Sequence, residues 1–311
     1  MENYMNDYLD PMNSAVNDTG FDRSIVTIAT ALPGNRLLNK TRENWTNILD
    51  RNHGLNQLWF LTLDRGKNAY TIQNLENFNY LTAMAEWSNN FNDDVHSITT
   101  TNNRSYWLLP RAPAGGHNIR NWGIGGGVGG FLPQQLDVHG NNPASGSWVG
   151  IWDFNGATNQ RWILTPSIPD FNNKIVNMIT RLNGTSSAGV SSQEAIFNRV
   201  HLWASTAGSQ HEWRFIRDPN TTDTYMIQSM LERLSGMYLT EGGNRELNFG
   251  HDIRPSARWK VVPTTGGFEI INEQSGHVLD VADNGTANGT VISTWSSNNG
   301  RNQKWRLNVI A

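Results

Sequence analysis

Two stretches of this 311-residue chain carry the same chemical groups at the same spacing. One reads LDVHGNNPASGSWVGIWDFNGATNQRWIL and holds Asp137, Trp152, Asn159 and Gln160. The other reads LDVADNGTANGTVISTWSSNNGRNQKWRL and holds Asp280, Trp295, Asn302 and Gln303. Each residue of the first set lies 143 positions before its counterpart, as Gly146 does before Gly289 and Trp162 before Trp305. An ionised carboxylate only accepts hydrogen bonds, an amide donates and accepts, and an indole offers a flat apolar face. Brought together, these groups suit a compact polyhydroxylated ring with one face of C–H groups. Hydroxyl-to-carboxylate bonds are charge-assisted and sensitive to orientation. Seen alone, such an Asp caps a Gly/Asn-rich turn and such a Trp packs in a core; the shared spacing is what points to binding. The Asp280 set is the main candidate. In the Asp137 set, Trp148 replaces Val291 and Gly150 replaces Ser293, so it stands second.

The elements that must position these groups repeat. Six tryptophans, Trp59, Trp107, Trp162, Trp213, Trp259 and Trp305, close short β-like segments at intervals of 48, 55, 51, 46 and 46. Between them, β-branched and aromatic stretches alternate with Gly, Asn and Asp clusters, which is strand and turn chemistry. The spacing predicts an all-β chain, with only short helical possibilities such as Gln228–Leu234. A unit of about 50 residues with four short strands cannot bury its own apolar face, but three around a pseudo-threefold axis can close a barrel and cap it with hairpins. The 143-residue offset spans three units, so six units group as two threes. The expected organisation is a polar arm over 1–20, mobile until packed, domains over 21–166 and 171–311, and a linker at 167–170. The six closing tryptophans are expected in the core, specifying fold rather than chemistry.

Composition narrows the function. The formal charge of −3 gives no reason to expect nucleic acid. Charged residues are 16% of the chain, and its polarity comes from neutral groups, including 40 Asn. With no Cys there is no disulfide, thiolate metal site or Cys nucleophile. No apolar run approaches the ~18 residues of a membrane helix, and the first residues lack a secretory pattern. The eight His lack ligand spacing, so neither a metal nor a cofactor is expected. Gly125, Gly127 and Gly130 satisfy a dinucleotide-type glycine pattern, but strand-like FLPQQLDV follows instead of a helix, so a mobile hairpin loop is expected. Asp93–Asp94 read as a solvated turn. Asp137 and Asp280 fall in different domains, too far apart to act as a glycosidase pair.

The run of Leu279, Asp280, Val281, Gly289, Val291, Trp295, Asn302, Gln303 and Trp305 resembles the ricin-B-type β-trefoil lectin repeat. The Gln-x-Trp ending also stands intact at Gln57–Trp59 and Gln160–Trp162, and is degraded to Ser105, His211 and Ala257 in the other units. The resemblance implies two tandem β-trefoils and a non-enzymatic lectin. Asp280, Trp295 and Asn302 would be ligands of galactose-type glycans, with Gln303 bracing the loop or reaching a hydroxyl. The whole pattern looks most like the two-trefoil haemagglutinins of the botulinum neurotoxin progenitor complex. That implies an extracellular attachment subunit, released without a classical signal peptide, with other haemagglutinin or toxin-complex proteins as partners. The alternative is a structural assembly subunit whose sugar sites are vestigial. Aligned on their closing tryptophans, the remaining units place Gly34, Thr82, Ala188 and Leu234 at the Asp position, which predicts lost sugar binding. Trp87 and Trp203 are expected in the core or on a partner surface.

Overall fold

The computed structural model describes residues 17–84, 93–123, 134–191, 199–204 and 208–311. Among them are twenty-four β-strands and short 3-10 turns, with no α-helix. The stretch Gln228–Leu234 splits between a strand, Thr224–Ser229, and a 3-10 turn, Glu232–Leu234. The strand is buried at five of its six positions, and that burial overrides the weak helical spacing. Asp93–Asp94 open a strand, Asp93–Ile98, paired with Gly150 and Ile151, so the expected turn is corrected. The expected glycine loop over 125–130 and Trp87 lie outside the described residues.

The chain folds as two compact units, which divide between Ser167 and Ile168. Each is a β-trefoil. In the second unit six strands close a barrel: Lys174–Thr180, Trp213–Arg217, Thr224–Ser229, Arg258–Thr264, Gly267–Asn272 and Trp305–Val309. The last strand returns to the first in register from Val176↔Val309 to Thr180↔Trp305. The first unit closes likewise, from Val26↔Pro166 to Thr30↔Trp162. Closure removes the exposed strand edges that an open sheet must protect.

Three two-stranded hairpins accompany each barrel, one per repeat. In the second unit they are Ser186–Val190 with Val200–Ala204, Tyr238–Glu241 with Leu247–Gly250, and Val278–Val281 with Thr290–Trp295. In the first unit the three meet at Thr46, whose Oγ1 donates to the carbonyls of Val95 and Val149 at 2.9 and 3.1 Å. Gly146 and Gly289 enter their hairpins at φ +93° and +85°, the left-handed region a side chain rarely adopts, which is why both repeats keep glycine there.

All six repeat-closing tryptophans are fully buried. Each donates its indole N–H to a hairpin carbonyl: Leu38, Leu81, Leu136, Ala188, Leu239 and Leu279, at 2.8–3.0 Å. A buried indole N–H needs an acceptor. Here that need ties every hairpin to its barrel at one point. The described end of the expected N-terminal arm is also packed. Asn17 is 5% exposed and donates to the carbonyl of Asn68, while Asp18 pairs with His117 and Arg111.

Candidate functional site

The indole-to-carbonyl bond fixes where the candidate acid sits, because Asp280 follows Leu279 and Asp137 follows Leu136. In the sixth repeat Asp280 pairs with Ser293 and Val278 with Trp295. Alternate residues share a sheet face, so the carboxylate and the indole lie on one side of the hairpin. Trp295 is 50% exposed, whereas Asp280 is 7% exposed.

Asn302 and Gln303 approach from the 3-10 turn Arg301–Gln303, just before the closing Trp305. Asn302 Nδ2 donates to Asp280 Oδ2 at 2.9 Å and to the Val281 carbonyl at 3.2 Å. Gln303 Nε2 donates to the same Oδ2 at 2.8 Å and to the Ser296 carbonyl at 3.0 Å, while its Oε1 accepts from the Asn298 N–H at 2.8 Å. Every polar hydrogen and the oxygen of that amide are committed within the protein, so Gln303 braces the loop. Oδ2 is saturated with donors, and among the described residues no hydrogen bond reaches Oδ1. Burial pushes the Asp280 carboxyl above its ordinary value, the two amides pull it back, and neighbouring Asp283 pushes it up again.

The third repeat reproduces this geometry. Asp137 pairs with Gly150 and Gln135 with Trp152, which is 41% exposed. Asn159 Nδ2 donates to Asp137 Oδ2 at 2.8 Å and to the Val138 carbonyl at 3.0 Å. Gln160 braces the loop through the Asp153 carbonyl and the Asn155 N–H, both at 3.0 Å. Burial raises the Asp137 carboxyl to about 6 against the pull of Gln160, His139 and Asn159. The Asn159 Oδ1 is buried without a hydrogen-bond partner. Trp148, 55% exposed, packs edge-on to Trp45, which in turn contacts His96.

The other repeats correct the expected alignment. The residue after the indole-bonded carbonyl is Asn39, Thr82, Gly189 or Thr240. Thr82 thus occupies the acid position expected for it, whereas Gly34, Ala188 and Leu234 lie elsewhere. The closing Trp follows the acid position by 25 residues in the third and sixth repeats, but by 20, 24 and 19 in the first, fourth and fifth. Shorter loops account for the slip. The first repeat even keeps a neutral version of the knot: Asn56 Nδ2 donates to Asn39 Oδ1 at 2.6 Å and Asn39 Nδ2 to Asn47 Oδ1 at 2.9 Å. Its plate position is Leu49, which pairs with Leu37 and offers no aromatic face.

Arg245 has no signal in the motif. It lies on the 3-10 turn Gly243–Arg245 of the fifth repeat, with its guanidinium carbon 3.9 Å from the Trp295 ring centroid. Such a cation–π contact contributes about 0.5–1 kcal/mol at an exposed site. Among the described residues no group of three or more His, Cys, Asp or Glu could hold a metal ion. Among the described residues no helix is long and apolar enough to cross a membrane.

Among proteins of known structure, a mosquitocidal holotoxin is 19% identical, over 93% of this chain and 35% of that one, with a TM-score of 0.43. The hemolytic lectin CEL-III is 14% identical over 94% of this chain and 64% of its own, at 0.34. The Macrolepiota procera ricin B-like lectin, solved with lactose, is 17% identical over 47% of this chain and 97% of its own, at 0.38. This chain thus spans about a third of the holotoxin. No curated protein matches the sequence. Residues 255–311 match the family described as ricin-type beta-trefoil lectin domain-like. It is over this stretch, which contains Asp280, Trp295, Asn302 and Gln303, that the chain is similar to ricin-type β-trefoil lectin domains.

Proposed function

We propose that the chain is a non-enzymatic lectin whose sixth-repeat cup binds a galactose-type pyranose. The observation that carries this reading is the Asp280 knot. Asn302 and Gln303 hold Oδ2, leaving Oδ1 to accept ligand hydroxyls beside the exposed Trp295 indole. The apolar face of the sugar would stack on the indole, and two neighbouring hydroxyls would donate to the carboxylate. An axial hydroxyl approaches a fixed oxygen differently from an equatorial one, which gives a basis for preferring galactose to glucose. Asp137, Trp152 and Asn159 would form a second cup.

Two cups on one chain suit attachment to glycan-covered surfaces. A single shallow site manages about millimolar affinity, near −4 kcal/mol, and engaging two glycans together gains ~10²–10⁴-fold. By its resemblance in sequence, the chain would act as a haemagglutinin-type attachment subunit of a bacterial toxin complex, outside the cell and with other complex proteins as partners. Retention of the purified protein on lactose-agarose, with elution by free galactose, tests the sugar reading; absence of retention there and on a glycan array overturns it.

A second reading, an assembly subunit with vestigial cups, is favoured by one feature: Arg245 already lies over the Trp295 plate. Co-purification with a partner protein that free galactose does not disturb would support it.

A further inference from the structure

The two carboxylate cups differ along one face of their hairpins. In the third repeat Val149 and Ile151 pack in the core, so Trp148, Gly150 and Trp152 alternate onto the opposite face of the same strand. Trp148 is 55% exposed and Trp152 is 41% exposed. Across the hairpin, Asp137 pairs with Gly150 and Gln135 with Trp152. The exposed His139 completes the row, its N–H donating to the Trp148 carbonyl at 3.0 Å. One side of the hairpin thus carries amide, carboxylate and imidazole, and the other carries indole, bare backbone and indole.

The sixth repeat serves as a comparison within the same molecule. At the same offset of 143, Trp148 becomes Val291, Gly150 becomes Ser293, His139 becomes Ala282 and Gln135 becomes Val278. The acid, its two amides and one indole are kept; everything that extends the row is confined to the third repeat. Residues four apart on a strand stand about 13 Å apart, farther than a single pyranose reaches. Gly150 puts no side chain between the two indoles. Trp148 is also held in place: its ring lies edge-on to Trp45 at 5.7 Å, Trp45 lies 4.1 Å from His96, and the Trp148 backbone bridges to Asn47. A plate fixed before binding loses little side-chain freedom when a ligand covers it.

We propose that the third-repeat cup is one end of a groove for a linear oligosaccharide. A terminal galactose-type ring sits at Asp137 and Trp152, the chain crosses Gly150, and a ring further along stacks on Trp148 with His139 beside its hydroxyls. The sixth repeat, with Val291 and Ser293 in those places, reads the terminal ring alone. Stacking plates set apart by bare backbone and facing polar groups suit a chain of sugars; an apolar protein partner would call for one contiguous patch. The inference rests on the reading of Asp137 and Trp152 as a sugar cup, and assigns to Trp148 the length of glycan that cup selects.

The test uses the full chain carrying Asp280→Ala, which silences the sixth-repeat cup, and two probes that end in the same sugar: methyl β-D-galactoside and the linear tetrasaccharide lacto-N-neotetraose. Ligand-observed NMR is expected to show the tetrasaccharide binding at least tenfold tighter, the gain from a second contact linked to the first. Adding Trp148→Ala is expected to bring the ratio of the two affinities to within about twofold, while Trp148→Tyr keeps most of the gain; circular dichroism melts show that both variants are folded. In the Asp137→Ala chain, where the sixth-repeat cup remains, the ratio is expected to lie near one. Equal affinity for the two probes or binding of neither in the Asp280→Ala chain, or a gain that survives Trp148→Ala, would overturn the proposal while galactoside binding by the unsubstituted chain leaves the galactose reading standing. Binding of neither probe by the unsubstituted chain would remove both.

Discussion

The Arg245 guanidinium lies 3.9 Å from the centroid of the Trp295 indole, so a side chain of the fifth repeat covers the plate of the sixth. A sugar stacking on that face must displace it. Arg245→Ala is therefore expected to raise lactose affinity about two- to fivefold, the equivalent of a 0.5–1 kcal/mol cation–π contact. Isothermal titration measures it. A loss of affinity would instead make Arg245 part of the binding surface.

Removing the acid separates the two cups. Asp280→Ala leaves the Asn302 and Gln303 amides without their shared acceptor, and is expected to weaken lactose binding more than tenfold. Asp137→Ala is expected to cost less overall, because its cup lacks a counterpart to Ser293. Retention on lactose-agarose ranks the variants, and the reverse order would make the third repeat the main site.

The third-repeat cup should respond to mild acid. Its Asp137 carboxyl titrates at about 6, and the ligand needs the ionised form. In an Asp280→Ala background, affinity for methyl β-D-galactoside is expected to fall about tenfold between pH 7.5 and pH 5, where roughly one carboxyl in ten stays ionised. Ligand-observed NMR at the two pH values gives the ratio, and a flat profile would exclude Asp137 as the acceptor.

The same shift bears on stability with a definite sign. The ordinary value of 3.8 stands for the unfolded chain and about 6 for the native one. Between those values the native state binds more protons, so the contribution of Asp137 is greatest below about 4 and is lost as the pH rises through 6. Asp137→Asn, which keeps an acceptor oxygen for Asn159, is expected to flatten this part of the pH–Tm curve. Thermal denaturation from pH 4 to 7 would show it, and an unchanged slope would count against the buried-carboxylate account.

The closing tryptophans link stability to the cups. Trp305→Phe removes the indole N–H that holds the Leu279 carbonyl at 3.0 Å, one residue before Asp280. An orphaned buried acceptor costs about 1–3 kcal/mol. The variant is expected to lower the denaturation midpoint and lactose affinity together, whereas Trp59→Phe should lower stability alone. Circular dichroism melts paired with lactose titration distinguish the two.

Much of the frame was legible in the sequence, because burying six indoles at near-regular intervals leaves a periodic trace. The Asp280 and Asp137 knots were legible for a related reason: their loops have equal length, so one constant offset aligns every group. The first, fourth and fifth repeats broke that register. Counting back from Trp59, Trp213 and Trp259 at fixed length missed Asn39, Gly189 and Thr240, since loops of unequal length leave the anchoring hydrogen bond intact. Arg245 was invisible because it reaches the cup from a different repeat, and such proximity has no local signature. Gln228–Leu234 and Asp93–Asp94 misled because local composition competes poorly with strand pairing.

Tethering each hairpin through a backbone carbonyl has an evolutionary consequence. The anchor reads no side chain at the accepting residue, so the neighbouring positions are free to drift while the scaffold stays intact. Acid in two repeats, amide in the first, hydroxyl in the second and fifth, and a bare backbone in the fourth are six experiments on one chassis, and new ligand preferences can arise there without refounding the fold.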